Sequence, residues 1–92
     1  NCGNTEEVAE FTLMLMLALS RRLLELDSAL RQGRWMSWER RLESRNLKDK
    51  TLGLVGYGQI GRAVAERARA FKMRVLAHDV VASSDAEMVA LE

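Results

Sequence analysis

Apolar residues recur at helical spacing over the first third of the chain and gather into short runs over the second half. A long helix followed by alternating strand and helix is the arrangement this predicts. The helix is expected to start at Asn4-Thr5-Glu6-Glu7, where Asn4 can cap and Glu7 stands three residues later, as a capping box requires. Glu6, Glu7 and Glu10 also suit the positive end of a helix dipole. The helix should run to about Arg31 and stop at Gly33, where a left-handed cap is cheap; at 1.5 Å per residue this is a rod of roughly 40 Å. Val8, Phe11, Leu15, Leu19, Leu26 and Leu30 share one face, yet Leu13, Met14, Met16, Leu17, Leu23 and Leu24 spread around the cylinder. A helix apolar on most sides must be covered on most sides. A chain of 92 residues has little material for that, so a second subunit or a further domain is favoured over a central core helix.

Four segments follow: the helix over 1–33, a connector over 34–50, a βαβ core over 51–79 and a continuation over 80–92. In the connector, Trp35, Trp38 and Leu42 recur at helical spacing among Arg34, Arg40, Arg41 and Arg45. Such a stretch can bind nucleic acid or a membrane surface, but Glu39 and Glu43 dilute its charge, and a solvated helix anchored by its aromatics is the expected outcome. Leu47–Lys50 reads as a turn carried by Asp49. Thr51–Val55 is a short apolar run, expected as a strand covered on both faces. Ile60–Phe71 is a helix with Ile60, Val64, Ala65, Ala68 and Phe71 on one side, and Met73–Ala77 is the second strand. Ser84 with Glu87 looks like another helix start.

Between the first strand and the second helix lies Gly56-Tyr57-Gly58-Gln59-Ile60-Gly61, a G-x-G-x-x-G pattern. Glycines cluster in many turns, so the pattern alone is weak; its setting is what makes it specific. It follows an apolar strand, opens an amphipathic helix, and is followed 18 residues after its last glycine by Asp79 at the end of the second strand. Gly56 permits the turn out of the strand, Gly58 lets a pyrophosphate approach the backbone, and Gly61 allows close helix packing. The amides of Gln59 and Ile60 stand at the helix start, where unpaired donors and the dipole favour an anion. Asp79 is placed to accept hydrogen bonds from ribose hydroxyls. A 2′-phosphate would meet its charge, and no Arg lies among Val80–Ser84 to compensate, so NAD is favoured over NADP. The fold class is therefore α/β, a partial Rossmann dinucleotide-binding unit preceded by an interface helix. His78, beside the ribose position, is far from where a nicotinamide would lie and is not a catalytic candidate.

Composition narrows the rest. Hydrophobic residues make up 48% and the net charge is +1, which gives no overall pull toward nucleic acid or membrane. The one cysteine, Cys2, cannot form an internal disulfide, and with a single His no metal site is expected; a reducing, cytoplasmic setting is. Phe11–Leu19 is about half the length needed to span a bilayer. The chain opens on Asn rather than Met and has no secretory pattern, so it is expected to be a piece of something longer.

Two blocks of the chain resemble the D-isomer-specific 2-hydroxyacid dehydrogenase family. The first is Asn4 through Phe11 leading into Leu15–Leu19 and Arg21, then Gly33-Arg34-Trp35; the second is Leu47 through Asp79, including Lys50-Thr51-Leu52-Gly53 and the glycine motif. The resemblance implies a cofactor domain and a substrate domain, with the first helix in the cofactor domain and in a homodimer contact. It implies that Thr5 and Val8 lie near the nicotinamide end of NAD. It also implies hydride transfer between NAD(H) and a small 2-hydroxy/2-oxo acid, with a catalytic Arg, Glu and His downstream of Glu92, so this chain alone should not turn over substrate. Lys72 and Asp49 depart from glycines that the family usually carries. A non-catalytic NAD-sensing or dimerisation module of the same fold is the alternative. Other NAD-using families with such a loop, such as adenosylhomocysteine hydrolases, resemble only the second block.

Overall fold

The computed structural model describes residues 3–34, 44–79 and 87–89. Two helices, α1 (Thr5–Ser20) and α2 (Leu23–Arg31), precede strand β1 (Thr51–Val55), helix α3 (Gln59–Ala70), strand β2 (Arg74–His78) and the short strand β3 (Glu87–Met88). The strands form one parallel sheet in the order β1-β2-β3. Leu52 stands opposite Val75 and Leu54 opposite Ala77, so the βαβ core has the expected α/β arrangement. The helix expected around Trp35, Trp38 and Leu42 lies outside the described residues, as does Ser84.

The expected single rod is in fact two helices. The chain breaks at Arg21 and Arg22, and Arg22 adopts a left-handed conformation with φ 55°. For an L-residue this costs on the order of 1–2 kcal/mol, and nothing in an Arg-Arg pair announces it, so the apolar periodicity runs straight through. The returning connector holds the break. Arg45 N–H donates to the Ser20 carbonyl at 2.8 Å, and the Arg21 guanidinium donates to Asn46 Oδ1 at 2.9 Å. The capping box is also not formed: the Asn4 carbonyl accepts from Val8 N–H at 3.0 Å, but no side chain caps α1.

Helix α2 ends as expected at Gly33, φ 77°. Gly33 N–H bonds the Leu30 carbonyl at 3.0 Å and Arg34 N–H the Ala29 carbonyl at 2.9 Å, the paired bonds of a Schellman end. Helix α3 ends in the same way with Lys72 in the glycine position. Lys72 N–H reaches Arg69 O at 2.9 Å and Met73 N–H reaches Ala68 O at 3.1 Å, with Lys72 at φ 66°. Asp49, at φ 68°, donates its N–H to the Lys72 carbonyl at 3.0 Å, so both departures from glycine take left-handed positions at the end of the sheet away from the glycine loop.

Helices α1 and α3 cover the same face of the sheet. Ala9 and Leu13 of α1 meet Val64 of α3 in one cluster, and Tyr57, Ala65, Ala68, Val75 and Ala77 form a second; Leu52 and Leu54 touch both. Arg67 ties the two helices, donating to Glu6 and, at 3.0 Å, to the Ala63 carbonyl. The apolar stripe of α3 is narrower than expected: Val64, Ala65 and Ala68 are buried, while Ile60 and Phe71 at its ends are exposed. On α1, Phe11, Leu15 and Leu19 face outward. Strand β1 is covered on one face only, contrary to expectation. Leu52 and Leu54 are half-buried, but Thr51, Gly53 and Val55 are exposed, because both helices lie on the other side.

Glu87 belongs to β3 rather than to a helix start, with Leu76 opposite Glu87 and Ala77 opposite Met88. The Arg74 guanidinium grips its carboxylate through bonds of 2.7 and 2.8 Å. Hydrogen bonding to Arg74 holds the Glu87 carboxyl below the ordinary carboxylate range, and the same bond raises Arg74.

Candidate functional site

Beyond Val55 the chain turns at Gly56, whose φ of 98° is one that side chains rarely tolerate. Two consecutive amides then stitch the turn to the end of β2. Gly56 N–H donates to the His78 carbonyl at 2.7 Å, and Tyr57 N–H donates to Asp79 Oδ2 at 2.5 Å. Gly58 is extended and serves as the N-cap of α3, which no side chain caps. The two remaining glycines differ in their surroundings. A Cβ on Gly61 would lie 2.7 Å from the Gly56 carbonyl oxygen, so the first turn of α3 rests on the turn itself rather than on the sheet. A Cβ on Gly58 would meet nothing within 4 Å: the backbone there is open to an approaching group.

These features decide what the loop can hold. A helix start has unpaired N–H groups and a positive dipole end. The first turn of α3 has neither an acidic residue nor a capping side chain, so the amides of Gln59 and Ile60 favour an anion there. A groove of about 700 Å³ runs beside the loop, lined by Gly56, Gly58, Gln59 and Ile60 with Val55 and Met16. A second cleft of about 410 Å³, between the N-termini of α1 and α3, is lined by Thr5, Glu6, Gln59 and Arg62. The Thr5 hydroxyl is buried with no hydrogen-bond partner among the described residues.

The structure therefore brings most of the expected residues together. Gly56, Gly58, Gln59, Ile60 and Gly61 lie along one loop, Asp79 joins them through the Tyr57 amide, and Thr5 meets Gln59 across the second cleft. Val8 is not brought to the loop by any described contact. Its amide bonds Asn4 and its carbonyl accepts from Thr12 Oγ1 at 2.8 Å, both within the α1 region. His78 serves the sheet, with its carbonyl under Gly56 and its Nδ1 2.8 Å from the Val89 carbonyl.

One contributor escaped the sequence reading. Tyr57 is only 2% exposed and anchors the loop in the core. The Arg62 guanidinium carbon sits 4.4 Å from its ring centroid, and Arg69 donates to its hydroxyl at 3.3 Å. Its one signal in the sequence is a large aromatic between two glycines.

Residues 13–92 match the family described as D-isomer specific 2-hydroxyacid dehydrogenase, NAD binding domain. The chain is 44% identical over 87 residues to a glyoxylate reductase of Thermofilum pendens, covering 92% of this chain and 26% of that protein. Among solved structures, the NAD-dependent formate dehydrogenase of Staphylococcus aureus in complex with NAD is 30% identical, with a TM-score of 0.84 over 95% of this chain and 27% of the other. An acyclic imino acid reductase in complex with NADPH and D-arginine is 34% identical, with a TM-score of 0.87 over 95% of this chain and 29% of that one. The chain thus spans about a quarter of the length of the curated relatives it matches. No helix among the described residues is long and apolar enough to cross a membrane.

Proposed function

This chain belongs to the D-isomer specific 2-hydroxyacid dehydrogenase family as part of the NAD-binding domain, and on that footing we propose that it holds NAD for hydride exchange with a small 2-hydroxy/2-oxo acid in the intact protein. The observation that carries the proposal is the open backbone at Gly58, at an uncapped helix start beside Asp79. NAD, when bound, supplies the hydride acceptor or donor. The chain supplies the grip: amides of Gln59 and Ile60 for the diphosphate, and the Asp79 carboxylate for the adenosine ribose. Gly56 shapes the turn, and Gly61 lets α3 close on it. The buried, unpartnered Thr5 hydroxyl beside Gln59 supports its assignment to the cofactor's nicotinamide side. Val8 is assigned there by resemblance alone.

Asp79 should also reject a 2′-phosphate by charge, making NAD the preferred cofactor. We further propose a homodimer through α1 and α2, since Leu19 and Leu24 are 79% and 81% exposed, and a cytoplasmic setting, in keeping with one cysteine in 92 residues. No residue of this chain is assigned as catalytic; the reaction would need the family's Arg, Glu and His. Calorimetric titration of the wild type and Asp79→Ala with NAD and NADP tests the site. The wild type should prefer NAD, and the variant should bind NAD more weakly and discriminate less. An unchanged NAD/NADP ratio overturns the ribose assignment, and a protein that binds neither nucleotide overturns the proposal.

A further inference from the structure

We infer that Asp79 is a positioning residue for the glycine loop, aiming its amides at the diphosphate, in addition to the ribose contact proposed above, on which the nucleotide part of this inference rests. The loop is fastened at Gly56 and at Tyr57. Gly56 is held from below by the His78 carbonyl and pressed by Gly61, and the Tyr57 side chain is sunk in the core between α3 and β2. The direction of the Tyr57 amide, and with it the plane of the Gly56–Tyr57 peptide from which the chain runs on to Gly58, is set by the bond to Asp79 Oδ2. This is a charge-assisted bond, the stronger kind, and it is made by a side chain rather than by the sheet ladder. The carboxylate that reads the sugar therefore also fixes the shape of the phosphate cradle.

The two roles predict opposite signs for one measurement. If Asp79 only met the ribose, removing its negative charge would leave inorganic pyrophosphate binding unchanged or tighter, because like charges repel across the site. If Asp79 aims the loop, the same change weakens pyrophosphate binding even though no ribose is present. The chain carrying Asp79→Ala, Asp79→Leu (similar shape, no acceptor) or Asp79→Asn (acceptor kept, charge removed) is compared with wild type in two ways. The first is amide hydrogen exchange of Tyr57 without nucleotide, with the amides of Val64, Ala65 and Ala68 as the reference for an intact α3. The second is titration with inorganic pyrophosphate.

We expect Tyr57 to exchange at least about tenfold faster in whichever of the Ala and Leu variants keeps α3 protected. Pyrophosphate affinity should fall at least about threefold, and Asp79→Asn should recover most of both losses. Wild-type protection of Tyr57 in Asp79→Ala or Asp79→Leu overturns the inference, as does pyrophosphate binding that stays equal or tightens. The exchange measurement needs no ligand. A protein that passes it yet binds neither pyrophosphate nor NAD would refute the proposed function and leave the loop-positioning role standing.

Discussion

Replacing Gly58 and Gly61 by alanine, one at a time, should separate binding from stability within a single loop. A methyl at position 58 meets nothing within 4 Å, and the residue sits at φ −90°. The protein without nucleotide should therefore tolerate Gly58→Ala within about 0.5 kcal/mol. At position 61 the methyl carbon would lie 2.7 Å from the Gly56 oxygen and 3.7 Å from Tyr57 Cδ1. Carbon–oxygen contacts relax near 3.3 Å, so α3 or the turn must give by about 0.6 Å. Overpacking of this kind costs about 1–3 kcal/mol, offset by about 1 kcal/mol for replacing glycine inside a helix. The net loss is about 0–2 kcal/mol, and each kcal/mol lowers Tm by about 4–8 °C in a domain of this size. For NAD the order reverses. On the proposed function the methyl of Gly58→Ala stands where the diphosphate approaches, and losing one charge-assisted bond of about 1.5–3 kcal/mol weakens binding about ten- to a hundredfold. Thermal unfolding followed by circular dichroism and calorimetric titration with NAD read the two effects. Wild-type NAD affinity in Gly58→Ala would place the diphosphate elsewhere, and a Gly61→Ala protein more stable than wild type would refute the packing argument.

Two further outcomes follow from the same geometry. Lys72→Gly relieves a left-handed side chain at φ 66° and should raise stability by about 1 kcal/mol; a lowered Tm would contradict this. Leu15→Lys with Leu19→Lys charges the outward face of α1 and should reduce self-association in sedimentation velocity, whereas a wild-type chain that stays monomeric at high concentration would remove the basis for the homodimer.

The βαβ core was legible because its signals are local. An apolar run, a glycine turn and an amphipathic helix each declare themselves within a dozen residues, and Asp79 falls at the expected strand end. The positions of Lys72 and Asp49 were marked only by the resemblance, as departures from the family's usual glycines, and both take the left-handed conformation. The break at Arg22 was not legible. It is stabilised from outside the helix, by Arg45 and Asn46, and a periodicity confined to the helix carries no trace of partners more than twenty residues away. Strand β3 was misread for the same reason. Ser84 with Glu87 has local helix-start chemistry, but the Arg74 guanidinium and the register against Leu76 place Glu87 beside β2. Tyr57 lay hidden in a variable position of the glycine pattern, where attention goes to backbone freedom rather than to what the side chain buries.

The site is unequal on its two sides, and this bears on how tightly the chain can grip a dinucleotide. On the β2 side the loop is fastened by His78 and Asp79. On the β1 side, Val55 is 76% exposed and the groove beside the glycines is open. In doubly wound sheets the dinucleotide lies in a crevice where the strand order reverses, with protein on both sides. On the proposed reading, this chain contacts the diphosphate and the adenosine ribose, and Thr5, which lines a cleft with Gln59, is the residue assigned to the nicotinamide side. Under the proposed function, recognition rests on the adenosine half, where the bonds from Gly56 to His78 and from Tyr57 to Asp79 set the loop's geometry before any ligand arrives.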